Sequence, residues 1–171
     1  MPRYKRCNTA TFRRLYDHQT APAIGARSHP LDAALQTVDR LHPYVDIIEA
    51  GTILCISAGI QAVGALRERC PQHTLVADLK VADAGATLAE QAFSQGANWM
   101  TVICAAPLAT MASALEVAER YRGEIQIELF GRWTLEDAKA WRDLGIKQAI
   151  YHRAAMHRPA GKPGANRIWT P

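Results

Sequence analysis

No apolar run in the 171 residues approaches the length of a membrane-spanning helix, for which about 20 consecutive apolar residues are needed. Nor does an apolar h-region follow the basic first residues as it would in a secretory leader. The four cysteines (Cys7, Cys55, Cys70 and Cys104) show neither disulfide nor metal-ligand spacing. These absences argue against a membrane partner and a disulfide-stapled secreted domain, and a reducing cytoplasm is the expected location.

Acid is what the two ends lack. Residues 1–31 hold six Lys or Arg against Asp17 alone, and residues 153–171 hold Arg153, Arg158, Lys162 and Arg167 with no acid. That leaves ten basic and fifteen acidic residues in 32–152, so the net charge of +4 belongs to the ends and not to the body. A basic chain suggests nucleic acid, but an acidic body argues against it. The ends also lack apolar periodicity. The expected organisation is an irregular segment 1–31, one domain over 32–153 and an irregular tail over 154–171. With 49% hydrophobic residues, the chain has ample material for a core.

The body alternates short apolar runs with stretches of helical spacing. Residues 45–52, 74–79, 99–104, 125–129 and 148–152 read as strands, and 58–69, 84–94, 108–121 and 135–144 as helices. Thr134 followed by Asp137 predicts a helix start, and Gly96 and Gly145 predict helix stops. A strand–helix period near 25 residues implies βαβ units on a parallel sheet. The expected fold class is α/β, an incomplete (β/α)8 TIM-type barrel with about five parallel strands and outer helices. Several expected strands end in a polar residue (Glu49, Asp78, Glu128, His152), where such barrels gather their active sites.

The densest chemistry lies in Asp78-Leu79-Lys80-Val81-Ala82-Asp83. Strand alternation would point Asp78 and Lys80 to one side, with Asp83 in the loop beyond. Two carboxylates and an ammonium at a strand's carboxyl end suit a metal plus a developing anion. A surface ion-pair cluster is the plainer alternative. Taken singly, Glu49 also reads as an ordinary strand-end carboxylate, and His152 as a satisfied or surface histidine.

Five blocks decide between these readings: D-I-I-E-A-G-T-I-L-C, A-D-L-K-V-A-D-A-G, G-A-N-W-M-T-V-I-C, E-I-Q-I-E-L-F-G-R-W-T and Y-H-R. In content and spacing, segment 32–153 resembles the 3-keto-L-gulonate-6-phosphate decarboxylases of the orotidine-phosphate decarboxylase suprafamily. The resemblance implies decarboxylation of 3-keto-L-gulonate 6-phosphate to L-xylulose 5-phosphate through an enediolate, a step of ascorbate catabolism. The partner it implies is a phosphorylated keto-sugar acid, and the assembly a homodimer. It further implies that Glu49 and Asp78 bind Mg2+, that Lys80 stabilises the enediolate, and that Asp83 orients Lys80 and reaches the partner subunit's site. Glu128 would contact substrate, and His152 would place the quenching proton or water. The related 3-hexulose-6-phosphate synthases, which are aldol lyases, share the first two blocks and form the alternative. A second alternative is a non-catalytic chain whose basic arm (Arg3, Lys5, Arg6, Arg13, Arg14) binds nucleic acid.

The departures lie at the ends. The family's first strand reads L-Q-x-A-L-D, whereas residues 21–29 here read as no strand, with Arg27 where the aspartate belongs. After Tyr151-His152-Arg153 the family continues R-D-A-Q-A and then two strands that hold the phosphate. Codons for residues 22–29 and 154–168 can be chosen so that a one-nucleotide shift spells L-Q-L-A-L-D-H and R-D-A-Q-A-S-G-Q. Both ends are therefore expected to be out-of-frame translations, with activity absent or weak. A nucleotide sequence whose shifted frame lacks those strings would disprove this.

Overall fold

Residues 23–26 and 31–151 are described by a computed structural model. Six parallel strands pair in chain order: β1 (Ala23–Ala26), β2 (Ile47–Ala50), β3 (Thr74–Val81), β4 (Trp99–Ile103), β5 (Glu124–Glu128) and β6 (Gln148–Ile150). The connecting helices are α1 (Leu31–Leu41), α2 (Thr52–Ala58), α3 (Gln61–Arg69), α4 (Gly85–Ser94), α5 (Leu108–Arg120) and α6 (Leu135–Asp143). No described helix is long and apolar enough to cross a membrane. The parallel sheet agrees with the expected α/β class.

Alternation divides the sheet into two faces. Ile48, Ala50, Leu75, Ala77, Met100, Val102, Ile125 and Ile127 are buried in one hydrophobic cluster with residues of the helices, among them Val38, Leu66, Phe93, Met111 and Trp141. The register places Glu49, Val76, Glu124, Thr101, Gln126, Gln148 and Glu128 on the opposite, inner face. Apolar burial on the helix side fixes strand register, because a one-residue slip would exchange the two faces. That same constraint aims the polar residues inward.

Three local expectations need correction. Residues 21–29 do contain a strand: Ala23–Ala26 pairs in register with β2, and the number of strands rises from about five to six. A run of small residues lacks the apolar weight that marks a strand, yet its backbone completes the edge of β2. The helix expected over 58–69 instead breaks at Gly59, whose φ of +79 lies in the left-handed region, so α2 ends there and α3 begins at Gln61. The third correction adds the amphipathic helix α1, with Ala34 and Val38 buried one turn apart, ahead of the first expected strand.

Other signals hold. Thr134 and Asp137 form a reciprocal capping box at the start of α6, with Asp137 N–H donating to Thr134 Oγ1 at 3.2 Å and Thr134 N–H to Asp137 Oδ2 at 2.8 Å. Gly96 and Gly145 adopt positive φ just past α4 and α6. Gly85 has a different reason to be glycine: a Cβ there would stand 2.1 Å from the carbonyl oxygen of Thr110, where α4 meets α5. Gly85→Ala should therefore force these helices apart and destabilise the fold by about 1–3 kcal/mol. A lowered urea midpoint at unchanged slope checks this, and an unchanged midpoint would contradict the packing.

Candidate active site

Adjacent strands deliver the first two carboxylates. Glu49 pairs in register with Val76, two residues before Asp78, so both acids project from the inner face. They also act on a common neighbour. Burial, then the charges of Asp78 and Glu49, push the Cys55 thiol up to about 11.

Asp78 is 8% exposed and accepts four hydrogen bonds. Lys80 Nζ donates to both its oxygens at 2.8 Å, Thr101 Oγ1 donates to Oδ1 at 2.8 Å and Thr52 Oγ1 to Oδ2 at 2.8 Å. Lys80 Nζ also donates to Glu128 Oε1 at 2.9 Å, and Glu128 is 2% exposed. One ammonium thus bridges two buried carboxylates that stand 50 positions apart in the chain.

Lys80 reaches both because the strand is irregular there. Between Ala77 and Val81 the β3–β4 register shifts, and Lys80 takes a φ of +49, a conformation uncommon for a residue with a Cβ. Its N–H leaves the ladder and donates to Thr101 Oγ1 at 2.9 Å. Thr101 therefore holds the bulge with one interaction and the carboxylate with another. Alternation alone placed Asp78 and Lys80 on one side; the bulge is what brings the ammonium back onto the carboxylate.

The expected site residues divide into three groups. Asp78, Lys80 and Glu128 are joined by hydrogen bonds, and Glu49 shares their face. Asp83 is exposed, and its Oδ1 accepts from the N–H of its neighbour Ala84 at 2.7 Å, while Lys80 turns toward Asp78 and Glu128. A cleft of about 270 Å³ lies beside Asp83, lined by Gly85, Thr87, Thr110 and Ser113, away from the charged cluster. His152 and Arg27 lie outside the described residues, as does the basic arm. Thr52 and Thr101 are the residues that sequence reasoning missed. The signal for Thr101 was available, since a polar residue at the centre of an apolar strand must face the inner side.

Charge and burial oppose one another here. Burial alone raises the Asp78 carboxyl, but the hydrogen bonds and charge of Lys80, with Thr52 and Thr101, bring it below its ordinary value. Burial alone lowers the Lys80 ammonium, and its bonds to Asp78 and Glu128 raise it above its ordinary value. A depressed Asp78 stabilises the fold above its ordinary pKa and loses that contribution as pH falls through the folded value. A raised Lys80 stabilises below its ordinary pKa and loses that contribution as pH rises through the folded value. In urea unfolding, the stability difference between the chain and Asp78→Asn should shrink below the ordinary aspartate value of 3.8. That between the chain and Lys80→Met should shrink above 10.5. Differences that stay constant across both ranges would contradict the cluster.

Known proteins resemble this chain in sequence and fold. A profile of the orotidine 5'-phosphate decarboxylase / HUMPS family matches residues 17–166. The 3-keto-L-gulonate-6-phosphate decarboxylase SgbH of Escherichia coli is 59% identical over 132 residues, covering 77% of this chain and 60% of the relative. The crystal structure of 3-keto-L-gulonate-6-phosphate decarboxylase from Vibrio cholerae superimposes with a TM-score of 0.77 at 48% identity, over 78% of this chain and 63% of that one. A 3-hexulose-6-phosphate synthase superimposes with a TM-score of 0.72 at 31% identity, over 77% of this chain and 65% of that one. The chain thus spans under two-thirds of the length of each of these proteins. A parallel sheet whose strand ends converge on Asp78, Lys80 and Glu128, together with a matching profile over most of the sequence, gives the assignment: the chain belongs to the orotidine 5'-phosphate decarboxylase / HUMPS family.

Proposed function

We propose that this chain derives from a carboxy-lyase acting on 3-keto-L-gulonate 6-phosphate, giving L-xylulose 5-phosphate and CO2. The observation that carries the reading is the Lys80 ammonium, held 2.8 Å from Asp78 and 2.9 Å from Glu128 on the inner face. When a β-keto acid loses CO2, the electrons of the breaking C–C bond move onto the ketone and leave an enediolate. A fixed cation in a partly buried site stabilises that charge more strongly than water does, because it is already oriented. Asp78 and Glu128 fix the cation. Thr101 and Thr52 fix Asp78.

The donor chemistry fits Mg2+, which prefers carboxylate and hydroxyl oxygens. Glu49 and Asp78 would hold the ion. Asp78 accepts four hydrogen bonds, about as many as a carboxylate's lone pairs allow, so ion binding would exchange at least one of them. The bound ion would add positive charge opposite the substrate oxygens. Lys80 then faces the reacting carbons, Glu128 contacts substrate hydroxyls, and His152 supplies the proton or water that quenches the carbanion. Asp83, which turns to its own backbone in this chain, is assigned to the site of a second copy in a homodimer.

For the 171-residue chain itself we propose weak or absent turnover, with both ends read out of frame. The described sheet has two ends, β1 and β6, where a closed barrel has none. By the resemblance, the strands that would grip the phosphate follow the Tyr151-His152-Arg153 block, where this sequence departs from the family's pattern, and remote binding is what positions a reacting group. The aldol lyase reading is kept as a second one because of the similarity to 3-hexulose-6-phosphate synthase.

A coupled assay of Mg2+-dependent CO2 release, run beside SgbH, tests the reading. Release should fall at least about a hundredfold below the relative's, given the sensitivity of rate to positioning. Residual release should be abolished by Lys80→Ala. Release near the relative's rate would overturn the proposal of weak turnover. Condensation of formaldehyde with ribulose 5-phosphate, faster than decarboxylation, would favour the second reading.

A further inference from the structure

The amino ends of β2 and β3 carry a different set of donors. His42 opens the 3-10 turn before β2, Cys70 caps the end of α3, and His73 immediately precedes β3. One ligand atom from each lies within 4.8 Å of the other two. In tetrahedral zinc sites, Zn–N distances of about 2.0 Å and Zn–S of about 2.3 Å set ligand atoms roughly 3.4–3.7 Å apart. Small side-chain rotations close that gap.

The hydrogen bonding around His73 selects the atom that would bind. His73 Nε2 lies 2.9 Å from the carbonyl oxygen of His42. A carbonyl oxygen only accepts, so Nε2 bears the proton and Nδ1 bears the lone pair. Nδ1 is buried and has no hydrogen-bond partner among the described residues. Buried acceptors without a donor are rare and costly. Metal-bound histidines, by contrast, characteristically donate their other N–H to a carbonyl or carboxylate. The His42 ring stands edge-on to His73, with centroids 5.5 Å apart.

The loop that carries two of the donors is fixed before any metal arrives. Arg67 Nη1 donates to the carbonyl oxygens of Cys70 and Pro71 at 3.0 Å and of His73 at 2.9 Å, and its Nε donates to that of Gly96 at 3.0 Å. The two donors form a Cys-x-x-His run. Cys70 is 2% exposed. His42 and His73 are partly exposed.

We propose that His42, Cys70 and His73 form a binding site for a divalent transition ion of the Zn2+ type, with solvent as the fourth ligand. Two imidazoles and a thiolate suit such an ion and do not suit Mg2+. On binding, the Cys70 thiol proton leaves to solvent and the sulfur donates to the ion. The site is separate from the one at the strands' carboxyl ends, since Thr74 and Asp78 are four residues, or roughly 13 Å, apart along β3. Its effect would be to tie the α3–β3 loop to the turn before β2.

Titrating the metal-free full chain with Co2+, in excess Mg2+, reads the site directly. A single equivalent should produce a thiolate-to-cobalt charge-transfer band and intense tetrahedral d–d bands, and Zn2+ should bleach both. Cys70→Ser should remove the charge-transfer band and weaken Zn2+ binding at least about tenfold, while Cys7→Ser and Asp78→Asn leave both unchanged. His42→Gln, at a partly exposed position, serves if circular dichroism shows Cys70→Ser unfolded, and it should weaken Zn2+ binding similarly. No charge-transfer band in the folded chain, a band that persists in folded Cys70→Ser, or undiminished Zn2+ binding in His42→Gln would overturn the proposal. Because Asp78→Asn disables only the other site, failure of one does not imply failure of the other.

Discussion

The inner face depends on one constraint: two carboxylates removed from water must share an ammonium. Asp78 and Glu128 are nearly inaccessible, and a buried charge without a partner is strongly unfavourable. Lys80 resolves this only by leaving regular strand geometry, with a left-handed φ and an N–H handed to Thr101. Local strain of this kind costs of order 1–3 kcal/mol and persists where its surroundings over-determine it. Here Asp78, Glu128, Thr52 and Thr101 all do so. The result is a positive charge fixed in place by its surroundings.

The hydrophobic sheet–helix layer makes the polar arrangement possible without taking part in it. Ile48, Ala77, Met100 and Ile127 are fully buried on the helix side, and their burial sets the register that turns Glu49, Asp78, Thr101 and Glu128 inward. The carboxyl ends of the strands thereby collect hard oxygen donors and an ammonium. The amino ends collect imidazole and thiol. The two ends of the same strands thus differ sharply in donor chemistry.

Much of this was legible in the sequence because periodicity is a local signal. The β3 run, the Thr134–Asp137 cap and the glycines ending α4 and α6 each announce themselves within a few residues. Asp78 and Lys80 could be paired for the same reason. What escaped was non-local or backbone-driven. Ala23–Ala26 becomes a strand through pairing with β2 and not through its own side chains. The break at Gly59 depends on a left-handed φ inside an apolar stretch that reads as continuous. Thr52 acquires its role from a carboxylate 26 positions away. The His42–Cys70–His73 cluster required the fold to bring one histidine to a Cys-x-x-His run. The strand-end pattern singled out Glu128 as a candidate, and resemblance to a family supplied its role.

The charged centre stands on an ammonium that bridges two acids, and a double-mutant cycle measures the part of the bridge that reaches the distant strand, Lys80 to Glu128. Lys80→Met and Glu128→Gln, singly and together, would be compared by urea unfolding at neutral pH. Lys80→Met alone should be the costlier change, by about 3–5 kcal/mol, because it leaves two buried carboxylates uncompensated. The pair should show an interaction energy of about 1–3 kcal/mol. Strictly additive effects, within about 0.5 kcal/mol, would mean that Lys80 does not hold Glu128 and that the ammonium bridge described above does not exist.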